Sequence, residues 1–166
     1  MNTVDLYDKV CLKASRHTTY SYSTSFSLGI RSLDKRLHGP IHAIYGFVRF
    51  ADEIVDTFQG YDKNDLLKRF REDTYRAIAE GISLNPILHS FQRVVNTYHI
   101  EQELYDTFLD SMAMDLTDTA HDQSSYETYI LGSAEVVGLM CLRVFCEGNE
   151  ALYQRLRPSA MKLGAA

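Results

Sequence analysis

Turn-forming residues are scarce in this sequence, and long apolar runs are absent. Three prolines and nine glycines among 166 residues leave little of the chain marked for tight turns. No stretch approaches the roughly 20 apolar residues that a membrane-spanning helix needs. The opening MNTVDLYDKV lacks the charged-then-apolar layout of a secretory signal, so a cytoplasmic setting is expected. Lysine and arginine are scattered and the net charge is -5, which argues against nucleic acid as a partner. Cys11, Cys141 and Cys146 are an odd number without metal-site spacing, and reduced thiols in or near a core are expected. There is no internal repeat and no low-complexity segment.

What the chain does carry is helical periodicity. At 45% hydrophobic and 23% charged it is globular rather than disordered, and residues 1–166 suffice for one domain with a core. Apolar residues recur at helical spacing almost throughout, with no run of strand alternation. Helices are expected over Val4 to about His17, from Gly39-Pro40 to about Phe58, and over Lys63 to Glu80 with a stop at Gly81. Others are expected from the Asn85 cap to about Tyr98, over Glu101 to Leu116, and, after a capping box at Ser124–Glu127, to about Cys146. A last one follows Gly148. Thr18–Ser27, rich in Ser and Thr, is expected to be a loop.

The second of these helices breaks its own pattern. In "YGFVRFADEIVD", Tyr45, Arg49, Asp52 and Asp56 share a face with Ile41 and Val48, and Asp52 lies within roughly 20° of both Ile41 and Tyr45. Carboxylates turned toward a core need a cation. Arg49 can neutralise one of them. A divalent metal can satisfy both, and Mg²⁺ suits two carboxylates that share it with phosphate oxygens. An internal ion-pair face with no ligand is the competing reading. In "YDTFLDSMAMDL", Asp115 falls about 20° from Phe108, again placing an acid on an apolar stripe. A di-iron bundle would require Glu-x-x-His pairs, and there are none. In "YSYSTSFSLGI", Ser23, Ser25 and Phe26 offer hydroxyls and backbone N–H groups that could hold phosphate oxygens, or merely a flexible loop. In "YETYILGSAEVVGLM", Gly132, Ser133, Ala134 and Gly138 either permit close helix packing or leave room for an apolar tail beside Tyr129.

These blocks, in this order, resemble the squalene/phytoene synthase family of head-to-head prenyl transferases, and most closely its bacterial phytoene synthases. They are "SYSTSF", "AIYGFVRFADEIVD", "MAMDL" and "YILGSAEVVGLM". The resemblance implies an all-α prenyl-synthase bundle around a central apolar cavity. It implies Asp52 and Asp56 as ligands of Mg²⁺ (Mn²⁺ as an alternative) on the substrate diphosphate, and Arg49, Ser23 and Ser25 as diphosphate contacts. Tyr45 and Tyr129 become aromatic groups near the reacting carbons, and Phe26, Asp115, Val137 and Gly138 become substrate-binding positions. The leading expectation is condensation of two geranylgeranyl diphosphates to phytoene through a cyclopropyl intermediate, in carotenoid biosynthesis and without a nicotinamide. Squalene or dehydrosqualene formation from farnesyl diphosphate is the close alternative, and a non-catalytic diphosphate-binding subunit the distant one. Lipid substrates suggest work at a membrane surface. In the family the last helix continues past "KLGAA" into Gln-x-x-Asn-x-x-Arg-Asp, where a second aspartate-rich motif begins. The expectation is therefore an N-terminal portion of a longer synthase that lacks its C-terminal helices and is inactive alone. Departures at Thr24 and Ala113 bear on substrate length. The oligomeric state is not legible.

Overall fold

A computed structural model describes residues 2–117, 124, 127 and 131–165. Among these residues there is no β-strand. The helices are α1 (Thr3–Tyr22), α2 (Thr24–Arg31), α3 (Lys35–Asp56), α4 (Lys63–Glu80), α5 (Pro86–Tyr98) and α6 (Gln102–Thr117). A π-helical turn, Leu131–Glu135, then leads into α7 (Val136–Cys146), and α8 (Glu150–Ala165) follows.

Several boundaries are set by local chemistry that the sequence displays. Asn85 Oδ1 accepts from the N–H groups of Ile87 and Leu88 at 3.0 and 3.3 Å, and Pro86 fills the first position of α5, where no donor is needed. Gly81 ends α4 at φ 72, a left-handed conformation that glycine adopts without penalty.

Two expectations require correction. Thr18–Ser27 is helical apart from a break at Ser23. Thr18 and Thr19 donate their hydroxyls to the carbonyls of Ala14 and Ser15, and Ser27 donates to that of Ser23, so these side chains ride on the helix rather than compete with it. The helix bearing the acidic face begins at Lys35, not at Pro40. Asp34 caps it by accepting from the Arg36 N–H at 3.1 Å. Pro40 is accommodated inside α3, and the bare Cα of neighbouring Gly39 lets α1 approach so closely that an added Cβ would lie 3.0 Å from the Leu12 side chain.

Helix α3 is the hub, packed against α1, α2, α4, α5, α6 and α7. Its apolar face carries Ala43, Ile44, Phe47 and Ala51, all buried. Phe47 stacks on Phe91 of α5 with ring centroids 3.8 Å apart, and lies 5.5 Å from both Phe70 of α4 and Phe108 of α6. Truncating such a ring typically costs about 3–5 kcal/mol. This cluster fixes α6 against α3, and so sets where Asp115, two turns beyond Phe108, meets the acidic end of α3. Cys11, Cys141 and Cys146 are free thiols, with Cys11 and Cys146 buried.

Candidate active site

The polar stripe of α3 runs from core to solvent. Ile41 is buried, Tyr45, Val48, Arg49 and Asp52 are half-buried, and Asp56 is exposed. The end of the helix is tied down by Lys63, whose Nζ donates to the Val55 carbonyl at 2.6 Å.

Asp52 is the distinctive residue. Burial pushes its carboxyl up to about 6, and the neighbouring charges of Asp56, Glu53 and Asp115 push the same way against Arg49. Among the described residues no group donates a hydrogen bond to it. The three acids named from the sequence are thus electrostatic neighbours, with α6 supplying Asp115 and α3 the other two.

Arg49 acts on Asp52 through its charge, but its hydrogen bonds go to Glu53. Its Nε donates to Glu53 Oε1 at 2.9 Å, and its Nη2 reaches the same oxygen. The guanidinium also lies over the ring of Tyr22, 4.6 Å from the centroid. The Glu53 carboxyl is held below its usual range by the Thr57 hydroxyl and by Arg49. Glu53 and Tyr22 both stand in the quoted motifs, but neither was given a role. The four-residue spacing of Arg49 and Glu53 on one helix was the available signal.

The start of α2 completes this face. Ser23 interrupts α1 in an extended conformation and caps α2, its Oγ accepting from the Phe26 N–H at 3.1 Å. Ser25 is exposed in the first turn of α2. The Phe26 ring lies 4.9 Å from that of Tyr45. The Tyr45 hydroxyl is pushed above its ordinary range by burial, with Arg49 and Ser23 acting in the opposite sense. Tyr22 and Phe26 are 51% and 41% exposed, so the site is an open aromatic and acidic face on the described residues, not an enclosed cavity.

A sequence profile of the squalene/phytoene synthase family matches residues 20–166, which contain every residue of this face. The chain belongs to the squalene/phytoene synthase family. Among relatives, it is 29% identical over 127 residues to the presqualene diphosphate synthase of Zymomonas mobilis, covering 74% of this chain and 43% of that one. It is 26% identical over 132 residues to the presqualene diphosphate synthase of Rhodopseudomonas palustris, covering 78% of this chain and 47% of that protein. The chain thus spans about half the length of these relatives. Its fold superposes on a dehydrosqualene synthase crystallised with a ligand, with a TM-score of 0.79 at 20% identity over 99% of this chain and 56% of that one. It also superposes on a squalene synthase from Alicyclobacillus acidocaldarius, with a TM-score of 0.80 at 20% identity over 95% of this chain and 60% of that one. The all-α prenyl-synthase fold expected from the sequence is the fold of this family member.

The structure brings together Ser23, Phe26, Tyr45, Arg49, Asp52, Asp56 and Asp115, and adds Tyr22 and Glu53. The small residues beyond α6 are bound up in packing. A Cβ on Gly132 would overlap the Ser111 Oγ of α6, and one on Gly138 would meet the Ala160 carbonyl of α8 at 3.4 Å. Val137 is half-buried against the core. Tyr129, and all of the Ser124–Glu127 capping box except its two end residues, lie outside the described residues. No described helix is long and apolar enough to cross a membrane.

Proposed function

We propose that the protein carrying this chain joins two prenyl diphosphates head to head, and that its product is of the squalene type. The observation that carries this reading is Asp52: a half-buried carboxyl raised to about 6, beside three further acids, with the nearest guanidinium already engaged by Glu53. Such a site favours an added cation. Its donors are all carboxylate oxygens, which suit Mg²⁺, and Mn²⁺ less specifically. Among the described residues no group of three or more His, Cys, Asp or Glu side chains could hold a metal by itself. Asp52 and Asp56 are the residues that would hold the ion beside a diphosphate. A bound Mg²⁺ would supply charge neutralisation of the departing diphosphate.

The chain's own groups have distinct tasks in this reading. Arg49, held by Glu53 and Tyr22, and the hydroxyls of Ser23 and Ser25 orient diphosphate oxygens. The faces of Tyr22, Phe26 and Tyr45 stabilise the allylic cation left when the C–O bond breaks. Asp115 works from the opposite helix. Val137 and Gly138 are substrate-binding positions, and Tyr129 an aromatic near the reacting carbons, only as the family resemblance implies. The electron pair of the second substrate's double bond forms one C–C bond to the cation, loss of a proton frees the C–H pair that closes the second C–C bond, and a cyclopropyl diphosphate results. The names of the relatives support a squalene-type product over phytoene, with farnesyl rather than geranylgeranyl diphosphate as substrate. The resemblance implies two aspartate-rich motifs; this sequence supplies the first, and turnover by these 166 residues alone is not expected.

The test is to give the intact protein Mg²⁺ with farnesyl or geranylgeranyl diphosphate and to identify the product by mass spectrometry. Presqualene diphosphate or dehydrosqualene from the C15 substrate, or squalene when a reduced nicotinamide is added, supports the reading. Phytoene from the C20 substrate would overturn the squalene-type assignment. No condensation of either, with tight diphosphate binding retained, would instead make the protein a binding subunit.

A further inference from the structure

A second charged feature lies away from the acidic face. The buried side of α1 carries Cys11, Ser15, Thr18 and Thr19, and the side roughly opposite carries Lys9, Lys13, Arg16 and Tyr20. That basic side overhangs a groove of about 300 Å³ between α1, α2 and α3. Arg31 enters it from α2, and His38 and His42 from α3. The chain as a whole is acidic at -5, yet no carboxylate is among the described residues lining this groove.

The two arginines converge on one ring. The Arg16 and Arg31 guanidinium carbons lie 5.3 and 5.6 Å from the Tyr20 centroid, and Arg31 Nε donates to the Tyr20 hydroxyl at 3.3 Å. Among the described residues neither is paired with a carboxylate, whereas Arg36, Arg49, Arg69, Arg71 and Arg143 all are. Arginines gathered at one aromatic ring, without a counter-charge, present donors to whatever enters the groove. The field there is visible in the neighbours. Arg31 and Arg16 draw the Tyr20 hydroxyl below its ordinary range. Burial first, and then the charges of Arg16 and His38, push the buried His42 imidazole down to about 4. His42 Nδ1 is 2.8 Å from Thr19 Oγ1, whose own hydroxyl donates to Ser15, so Nδ1 carries the proton and the floor of the groove is fixed. Between arginine head groups and a half-apolar floor of Leu12 and Ile30, the groove offers bidentate donors to a multiply charged oxyanion.

We infer that this groove is a second anion site, separate from the acidic face, that takes a phosphoryl or diphosphoryl group on Arg16 and Arg31. It is independent of the proposed catalytic function, because the acidic face needs a divalent cation to hold a phosphate and this groove does not. The shared ligand chemistry has two sources, a free diphosphate or the phosphate of an anionic lipid.

The experiment uses the intact protein in EDTA, which silences metal-dependent binding at Asp52. Inorganic diphosphate is titrated calorimetrically, and separately the protein is sedimented with phosphatidylglycerol vesicles against phosphatidylcholine vesicles. Each is repeated on the Arg16→Gln/Arg31→Gln variant, whose two changes are on exposed side chains, with folding checked by circular dichroism. Diphosphate binding weakened about tenfold or more in the variant supports the site and a soluble ligand. Selective vesicle binding lost in the variant, without diphosphate binding, supports it with a lipid phosphate. Wild type and variant behaving alike in both arms overturns it. Asp52→Asn leaves this EDTA-resistant binding unchanged if the two sites are separate; its loss there would overturn the separation.

Discussion

Asp8 and Asp52 are both carboxylates turned toward the bundle, and they are held in opposite ways. Asp8 on α1 accepts from His89 Nε2 at 2.7 Å and pairs with Arg93 at 3.2 Å. His89 is fixed in turn, because its Nδ1 accepts the Ser83 backbone N–H at 3.2 Å, which leaves the proton on Nε2 for Asp8. Both Asp8 oxygens and both His89 nitrogens have partners, and the effect is to tie α1 to α5. Asp52 sits among Glu53, Asp56 and Asp115, with Arg49 turned to Glu53. The first arrangement is complete as it stands. The second holds an excess of negative charge, which a proton on Asp52 relieves and which, in the proposed function, a bound cation would relieve; the contrast in partners, not burial, distinguishes the two acids, since both are partly buried.

The largest expected effect breaks the comparison on activity. Asp52→Asn in the intact protein should lower turnover of prenyl diphosphate by about 10²–10³-fold, because it removes charge that holds the diphosphate's counter-ion. Asp8→Asn should leave the rate within a few-fold. Steady-state product formation by both variants checks this.

The next effect is on pH. Asp52 is raised from 3.8 to about 6 on folding, so the folded state holds its proton more tightly than the unfolded one. Its contribution to stability is present below pH 4 and is lost as the pH rises through about 6. Without metal, that loss should be about 2–3 kcal/mol. Chemical denaturation between pH 4 and 8 should show it in wild type. Asp52→Asn should remove it, and saturating Mg²⁺ should offset it.

A smaller effect falls on the structural partner. Asp8→Asn replaces one of two acceptor oxygens with an NH₂ where His89 and Arg93 both donate, and should cost about 1–3 kcal/mol at neutral pH. The two substitutions therefore separate cleanly: one costs activity and raises stability at neutral pH, the other costs stability alone.

The sequence displayed those parts of the fold that follow from local rules. Asn85-Pro86 and Gly81 were readable because a cap and a left-handed stop act within a few residues. Asp52 and Asp115 were readable as acids on apolar stripes, because helical spacing is enough to place them. Thr18–Tyr22 was not, since the threonine hydroxyls could bond either to their own helix or to a competing turn, and only the packing of α1 on α3 decides. The start of α3 was misplaced because Pro40 is a stronger local signal than Asp34, while the close α1 contact at Gly39 is invisible in one dimension. The hydrogen-bond partner of Arg49 was not legible for the same reason: Glu53 and Asp52 both lie near it along the helix, and only the packed structure chooses Glu53. The π-helical turn at Leu131–Glu135 has no sequence signature of its own; there Gly132 lies against Ser111, which points to helix packing rather than to space for a tail.

The most direct test of the central claim is calorimetric. A non-hydrolysable thio analogue of farnesyl diphosphate is titrated into the intact protein with and without Mg²⁺, for wild type and for Asp52→Asn. The account predicts tight binding by wild type only when Mg²⁺ is present, weakened about tenfold or more by the substitution. Equal affinity with and without the metal, or in wild type and variant alike, would contradict it and leave the acidic face as an ion-pair surface.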